Sequence, residues 1–399
     1  MNTSIAFTNF NFTSKAHSTQ EPLKLFELPM VLVIITTFIM IIVLILTVVG
    51  NLAVMIVFAS SDLLRSTVNN HFLFSLAMAD LLVGLLVMPC AIDALRTQRW
   101  RCGVFLKYFT GFGNFCFCIS SIMHLMMLSV DKYLSIIKPL KYPSIMTQRR
   151  VYLSCILLWL YSAFWALLPL MGVSSYECFI PYIGFCASED WSMYGLNFAF
   201  AISVVSGTYG VALVVMFVVY WRIAKVIKDQ TFKINPTAPK MAEHEEKKQK
   251  KSMKQKLLTK HKGVLTLITL IVTYLICWSP FCILLFVEIG KGEKVDTAIS
   301  LIGMLTGFVN SCCNPIIYWA KYSSFRRAVL RMCKKGFPFL PSSFGSNAIH
   351  DMSQTGPGYD TAEPSLYVDR IMKYEARKSL KPCAVYNDVP VEMKDSTNE

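Results

Sequence analysis

Residues 29–58 read PMVLVIITTFIMIIVLILTVVGNLAVMIVF and contain no charged side chain. An α-helix needs about 20 mostly apolar residues to cross the hydrocarbon core of a bilayer. It also satisfies every backbone N–H and C=O within the segment, which that solvent demands. Six further runs of this kind follow, at roughly 71–95, 104–134, 151–172, 193–223, 262–288 and 296–320. The pattern predicts an all-α membrane protein, a bundle of seven transmembrane helices. Beyond the last run, Ser323–Lys335 places Phe325, Ala328, Val329 and Met332 on one helical face and Arg326, Arg327 and Arg331 around the other. That is the signature of a short amphipathic helix lying on the membrane surface, in contact with lipid.

Composition agrees. The chain is 54% apolar and 16% charged, with a mean hydropathy of +0.48. Soluble domains carry about 25% charged residues, so a water-soluble globular or a wholly disordered protein is excluded. The net charge of +14 would suggest nucleic acid in a soluble protein. Here the basic residues sit beside apolar runs, where they set membrane orientation instead. With the N-terminus outside, 31 of the 39 Lys and Arg fall on inner segments. The same orientation puts the sequons at Asn2 and Asn11 outside, where they are glycosylation candidates. No cleavable signal peptide is expected, so the first span serves as the insertion signal.

The chain divides into an extracellular tail (1–28), a membrane domain (29–335, with a third inner loop at about 225–261) and a disordered cytoplasmic tail (336–399). Its 13 cysteines form no CxxC pair, and of its six histidines only His124 falls mid-span, which argues against a structural zinc site or a metallohydrolase. No internal repeat supports a transporter, and one mid-span carboxylate is too few for a charge-lined pore. A transporter or channel is therefore a remote alternative.

That carboxylate is Asp80. Ionisable groups inside a span are expensive and default to function. Asn51, Ser121, Asn310, Ser311 and Asn314 lie at matching depth and offer neutral oxygens. One carboxylate among such oxygens suits a small hard cation such as Na⁺; the alternative is a protonated Asp80 serving as helix–helix glue. Pro89, Pro169, Pro280 and Pro315 fall within helical patterns and predict kinks, those of spans six and seven being possible hinges.

Taken together, the motifs resemble those of a rhodopsin-like (class A) G-protein-coupled receptor, nearest the amine, melatonin and opsin branch. They are Gly50-Asn51, Leu76-Ala77-x-Ala79-Asp80, Asp131-Lys132-Tyr133 with Lys138-Pro139-Leu140, Trp159, Cys277-Trp278-Ser279-Pro280, Asn314-Pro315-Ile316-Ile317-Tyr318 and Phe325-Arg326, each in its own span and in order. The similarity covers roughly residues 30–335. It implies a plasma-membrane receptor, not an enzyme, that binds an extracellular ligand and activates heterotrimeric G proteins as span six swings outward. Arrestin and receptor kinases are implied as partners of the Ser/Thr-bearing tail. Trp278 would be the toggle beneath the ligand. Tyr220, Pro280, Pro315 and Tyr318 would rearrange on activation, and Asp131, Lys132 and Tyr133 would meet the G protein. The Asp80 cluster would be a sodium site. Cys333 would carry a palmitoyl group.

The departures from the family are informative. Lys132 stands where the family has arginine, so a weakly coupling or non-coupling receptor is the rival reading. Lys260 replaces the acidic residue of span six that would restrain it, which predicts high basal activity. The family's half-cystine falls on Lys107; Cys102 is expected to pair with Cys186, or Cys178 with Cys186 instead. Ala212 replaces the proline of span five. The resemblance implies a pocket lined by Asn114, Phe115, Cys118, Thr208, Trp278, Phe281, Cys282, Leu285, Met304 and Phe308. Asn114 stands where amine receptors keep an aspartate and Phe308 where opsins keep the retinal lysine. A small, neutral or amphipathic ligand fits such a lining best.

Overall fold

The structure is a computed structural model of the chain, and it describes residues 28–173, 176, 196–233, 265, 268–288, 290–291, 295–321 and 323–336. Among the described residues, seven helices are long and apolar enough to cross a membrane: Met30–Ser60, Asn70–Thr97, Gly103–Ile137, Gln148–Met171, Ala199–Val226, Ile268–Glu288 and Thr297–Lys321. They are spans one to seven below. The predicted surface helix follows at Ser323–Gly336. The protein is a multi-pass membrane protein.

Two span boundaries move for reasons of local chemistry. Span three runs past Tyr133 to Ile137 and stops before Lys138-Pro139, since proline bars helical conformation in the residue before it. Span four starts a turn early, at Gln148, because extended Thr147 opens the helix there. All but residue 28 of the expected tail 1–28, all but residue 336 of the expected tail 336–399, and most of the third inner loop lie outside the described residues.

Side chains sort as a lipid solvent requires. Ile34, Phe38, Leu153, Ile156, Leu160 and Phe164 are among those turned outward. Span three is the central post: 78% of its most apolar stretch is buried, against 17% for span four. Without a hydrophobic drive between helices, polar contacts and close packing hold such bundles together. Trp159 donates its indole N–H to Ser75 Oγ at 3.0 Å, joining spans four and two. Tyr161 donates to the Gly207 carbonyl at 2.8 Å, joining spans four and five. Gly50 lets span one meet the seventh at its proline, since a Cβ there would lie 2.9 Å from the Pro315 ring.

The prolines act in different ways. Pro315 lies inside a continuous helix. Pro169 falls in the 3₁₀ turn that closes span four. Pro89 follows a π-turn at Val83–Val87. Span five has a π-turn too, Ser206–Gly210, although it lacks the proline. Such a turn shifts the hydrogen-bond ladder and frees carbonyls.

Candidate functional site: a buried polar axis from the outer pocket to the inner face

Asp80 is fully buried in span two. Its Oδ1 accepts from Ser121 Oγ at 2.9 Å, and its Oδ2 accepts from Asn314 Nδ2 at 2.7 Å. Ser311 also hydrogen-bonds the carboxylate. Asn51 donates to the carbonyls of Thr47 at 2.9 Å and Ser311 at 3.0 Å. Its own Oδ1 has no partner among the described residues, and neither amide atom of Asn310 has one. Buried polar atoms are normally satisfied, so this cluster holds more oxygen acceptors than the protein itself uses. Asp80 and all five residues expected around it are buried, on spans one, two, three and seven. Among the described residues no three His, Cys, Asp or Glu side chains converge as metal ligands.

Outward of this cluster, Trp278 and Phe281 meet edge to face with ring centroids 6.3 Å apart. Met304 and Phe308 of span seven are buried beside span six, and Cys282 and Leu285 pack on Val205. On span three, Cys118 Sγ donates to Asn114 Oδ1 at 3.7 Å, and Phe115 packs between Phe200 and Tyr176. Thr208 spends its hydroxyl proton on the Val204 carbonyl at 2.7 Å; its remaining polar capacity is as an acceptor. Tyr176, from the outer loop, donates to the Ala166 carbonyl at 2.8 Å and lies over Gly111, where a Cβ would meet its ring at 2.6 Å. Burial pushes its phenol well above the ordinary range. Glu288 is buried at the outer end of span six and accepts from the Val295 N–H at 3.1 Å.

Near Trp278, hydrogen bonds and an aromatic stack join spans five and six. Tyr209 Oη and Ser279 Oγ share a hydrogen bond of 2.7 Å. Tyr274 stacks on Tyr209 at 5.2 Å and donates its hydroxyl to the Tyr209 carbonyl at 3.0 Å. That carbonyl belongs to the π-turn of span five. Sequence reading missed both tyrosines, because neither breaks an apolar helical pattern.

At the inner end, Asp131 and Lys132 are buried side by side, with Lys132 Nζ 3.8 Å from Asp131 Oδ2. Tyr142, in the short inner-loop helix Tyr142–Ile145, donates to Asp131 Oδ1 at 2.7 Å. Burial and the neighbouring carboxylate raise the Tyr142 phenol, which stays a donor. Tyr133 turns instead to Val219 and Ile223 of span five. Tyr318 is buried against Phe325 of the surface helix, ring centroids 6.4 Å apart, and Tyr220 is half-buried. Lys260, Cys178, Cys186, Asn2 and Asn11 lie outside the described residues, as does the Cys333 side chain.

The profile described as 7 transmembrane receptor (rhodopsin family) matches residues 50–318. The chain belongs to that family. It is 31% identical to the dog histamine H2 receptor over 294 residues, which is 71% of this chain and 75% of that one. It is 29% identical to the Drosophila melanogaster octopamine receptor beta-1R over 323 residues, 77% of this chain and 63% of that one. A melanopsin of Branchiostoma belcheri is 30% identical over 295 residues, 73% of this chain and 40% of its own. The expected family and its amine and opsin branch are thereby shown, and the protein is a receptor rather than an enzyme.

Proposed function

We propose that the protein is a plasma-membrane receptor, N-terminus outside, that binds a small neutral or amphipathic extracellular ligand and activates heterotrimeric G proteins through outward movement of span six. The observation that carries this reading is the Tyr209–Ser279–Tyr274 ladder directly beneath the Trp278–Phe281 pair. A ligand pressing on the pair acts on the same stretch of span six that the ladder holds to span five. Pro280 removes a helix hydrogen bond just above and supplies the hinge. When the inner half of span six swings away, a groove opens beside Asp131, Lys132 and Tyr318, and a helix of the G protein docks there.

The ligand reading rests on Asn114. An amide offers a donor and an acceptor but no charge, so it orients a hydroxyl, amide or ether better than an ammonium. Aromatic and aliphatic surface supplies the rest of the affinity. Na⁺ among Asp80, Asn51, Ser121, Asn310, Ser311 and Asn314 would supply positive charge to the buried carboxylate and favour the inactive arrangement. N-glycans at Asn2 and Asn11, a palmitoyl group on Cys333, and arrestin recruited by a phosphorylated tail complete the proposal.

The test is a compound screen read by G-protein dissociation. Neutral amphipathic agonists on the wild type, weakened at least tenfold by Asn114→Ala, support the reading. Agonists confined to amines and indifferent to Asn114→Ala contradict it.

A further inference from the structure

Cys90, Cys102, Cys178 and Cys186 are the cysteines in or beside the segments expected to be outer loops. The first two fall within the described residues, and they meet. Cys90 sits in the outer segment of span two, Met88–Thr97, and Cys102 immediately precedes span three. Both are half-buried free thiols, and their side chains lie close enough to interact.

The loop between them is built to hold this meeting. Span two ends where Gln98 takes a left-handed conformation, φ 49°, and its side chain clasps the Leu28 backbone through bonds of 2.8 and 3.3 Å. Thr97 Oγ1 lies 2.7 Å from the Asp93 carbonyl and 2.9 Å from that of Arg99, within donating reach of both. Trp100 donates its indole N–H to the Gly103 carbonyl at 2.8 Å, and Gly103, at φ 76°, turns the chain into span three. Cys102 lies between those two anchors. Its position is fixed from both sides, and it faces span two.

We propose that Cys90 and Cys102 form a disulfide that ties span two to the head of span three. The proposal rests on the outward orientation of this end, because oxidising chemistry is found on that side of the membrane. The thiolate of Cys102, the outermost of the two, attacks a disulfide of a secretory thiol oxidoreductase, giving a mixed disulfide and releasing one donor thiolate. The thiolate of Cys90 then attacks the Cys102 sulfur and expels the second. The receptor loses two protons and two electrons and gains one S–S bond; the donor disulfide takes up both electrons and becomes a dithiol. Thiols in contact need only side-chain rotation to reach bonding geometry, whereas distant ones need backbone movement. With Cys102 engaged here, Cys178 and Cys186 are left to each other.

Arg96, Arg99 and Arg101 separate the two cysteines, so trypsin cuts them into peptides 66–96 and 102–107. The full receptor from animal-cell membranes is denatured and alkylated without reduction, then digested and analysed by mass spectrometry. The expected product is those two peptides joined, absent after reduction and retained in the Cys178→Ser/Cys186→Ser variant. Cys102 alkylated before reduction, or joined to Cys178 or Cys186, overturns the proposal. Labelling intact cells with a membrane-impermeant maleimide after mild reduction reports orientation separately. Label without the joined peptide overturns the disulfide alone; neither label nor joined peptide overturns the orientation with it.

Discussion

Replacing Tyr274 by Phe removes one hydroxyl and leaves the ring. Tyr274 is fully buried, and its only loss is the 3.0 Å bond to the Tyr209 carbonyl. The aromatic stack on Tyr209 survives. Hydrogen bonds between membrane helices contribute about 0.6 kcal/mol on average and up to about 1.7 kcal/mol. The Tyr274 bond joins spans five and six, and under the proposed function it breaks when the inner half of span six moves out. Its removal therefore shifts the equilibrium toward the open state by about 3-fold to about 18-fold, the range those energies give at room temperature. Basal G-protein dissociation at matched surface expression measures it. Tyr274→Phe should raise basal release several-fold without abolishing the ligand response. Basal release equal to wild type would refute the reasoning, as would a fall in it.

Other expectations follow from other contacts. Tyr142→Phe strips a charge-assisted donor from Asp131, a class of bond that contributes about 1.5–3 kcal/mol; melting of the detergent-solubilised receptor should fall and basal release should rise. Asp80→Asn should abolish any effect of replacing Na⁺ by a large organic cation on thermal stability, and a Na⁺ effect that persists in the variant would count against the cation site. Gly111→Ala drives a methyl group into the Tyr176 ring, and overpacking of this kind costs about 1–3 kcal/mol; pairing it with Tyr176→Ala should restore part of the lost surface expression.

How much of this was legible in the chain depends on the physical signal each feature leaves. The spans were legible because a bilayer demands long uncharged runs, and Asp80 because one carboxylate in such a run is conspicuous. Its companions Asn51, Ser121, Asn310, Ser311 and Asn314 were legible by depth; Ser121 and Asn314 bond the carboxylate, and Asn51 bonds the Ser311 carbonyl. The proline in span five was not needed for a distortion, since Ser206–Gly210 makes a π-turn without it. Tyr209 and Tyr274 left no signal, because their hydroxyls matter only through partners on another helix. Tyr142 was equally silent: it reaches Asp131 from a four-residue helix in a loop. Cys90 looked like one more thiol in an apolar helix until the outer loop brought Cys102 against it.

Under the proposed function, Lys132, buried beside Asp131, permits coupling. Membranes carrying wild type, Lys132→Arg or empty vector, supplied in turn with heterotrimers of each of the four G-protein families, measure it by binding of a non-hydrolysable GTP analogue. Wild type should exceed vector with at least one family, and Lys132→Arg should act through the same family. No exchange with wild type against clear exchange with Lys132→Arg would contradict the account and make the protein a receptor of this family that does not signal through G proteins.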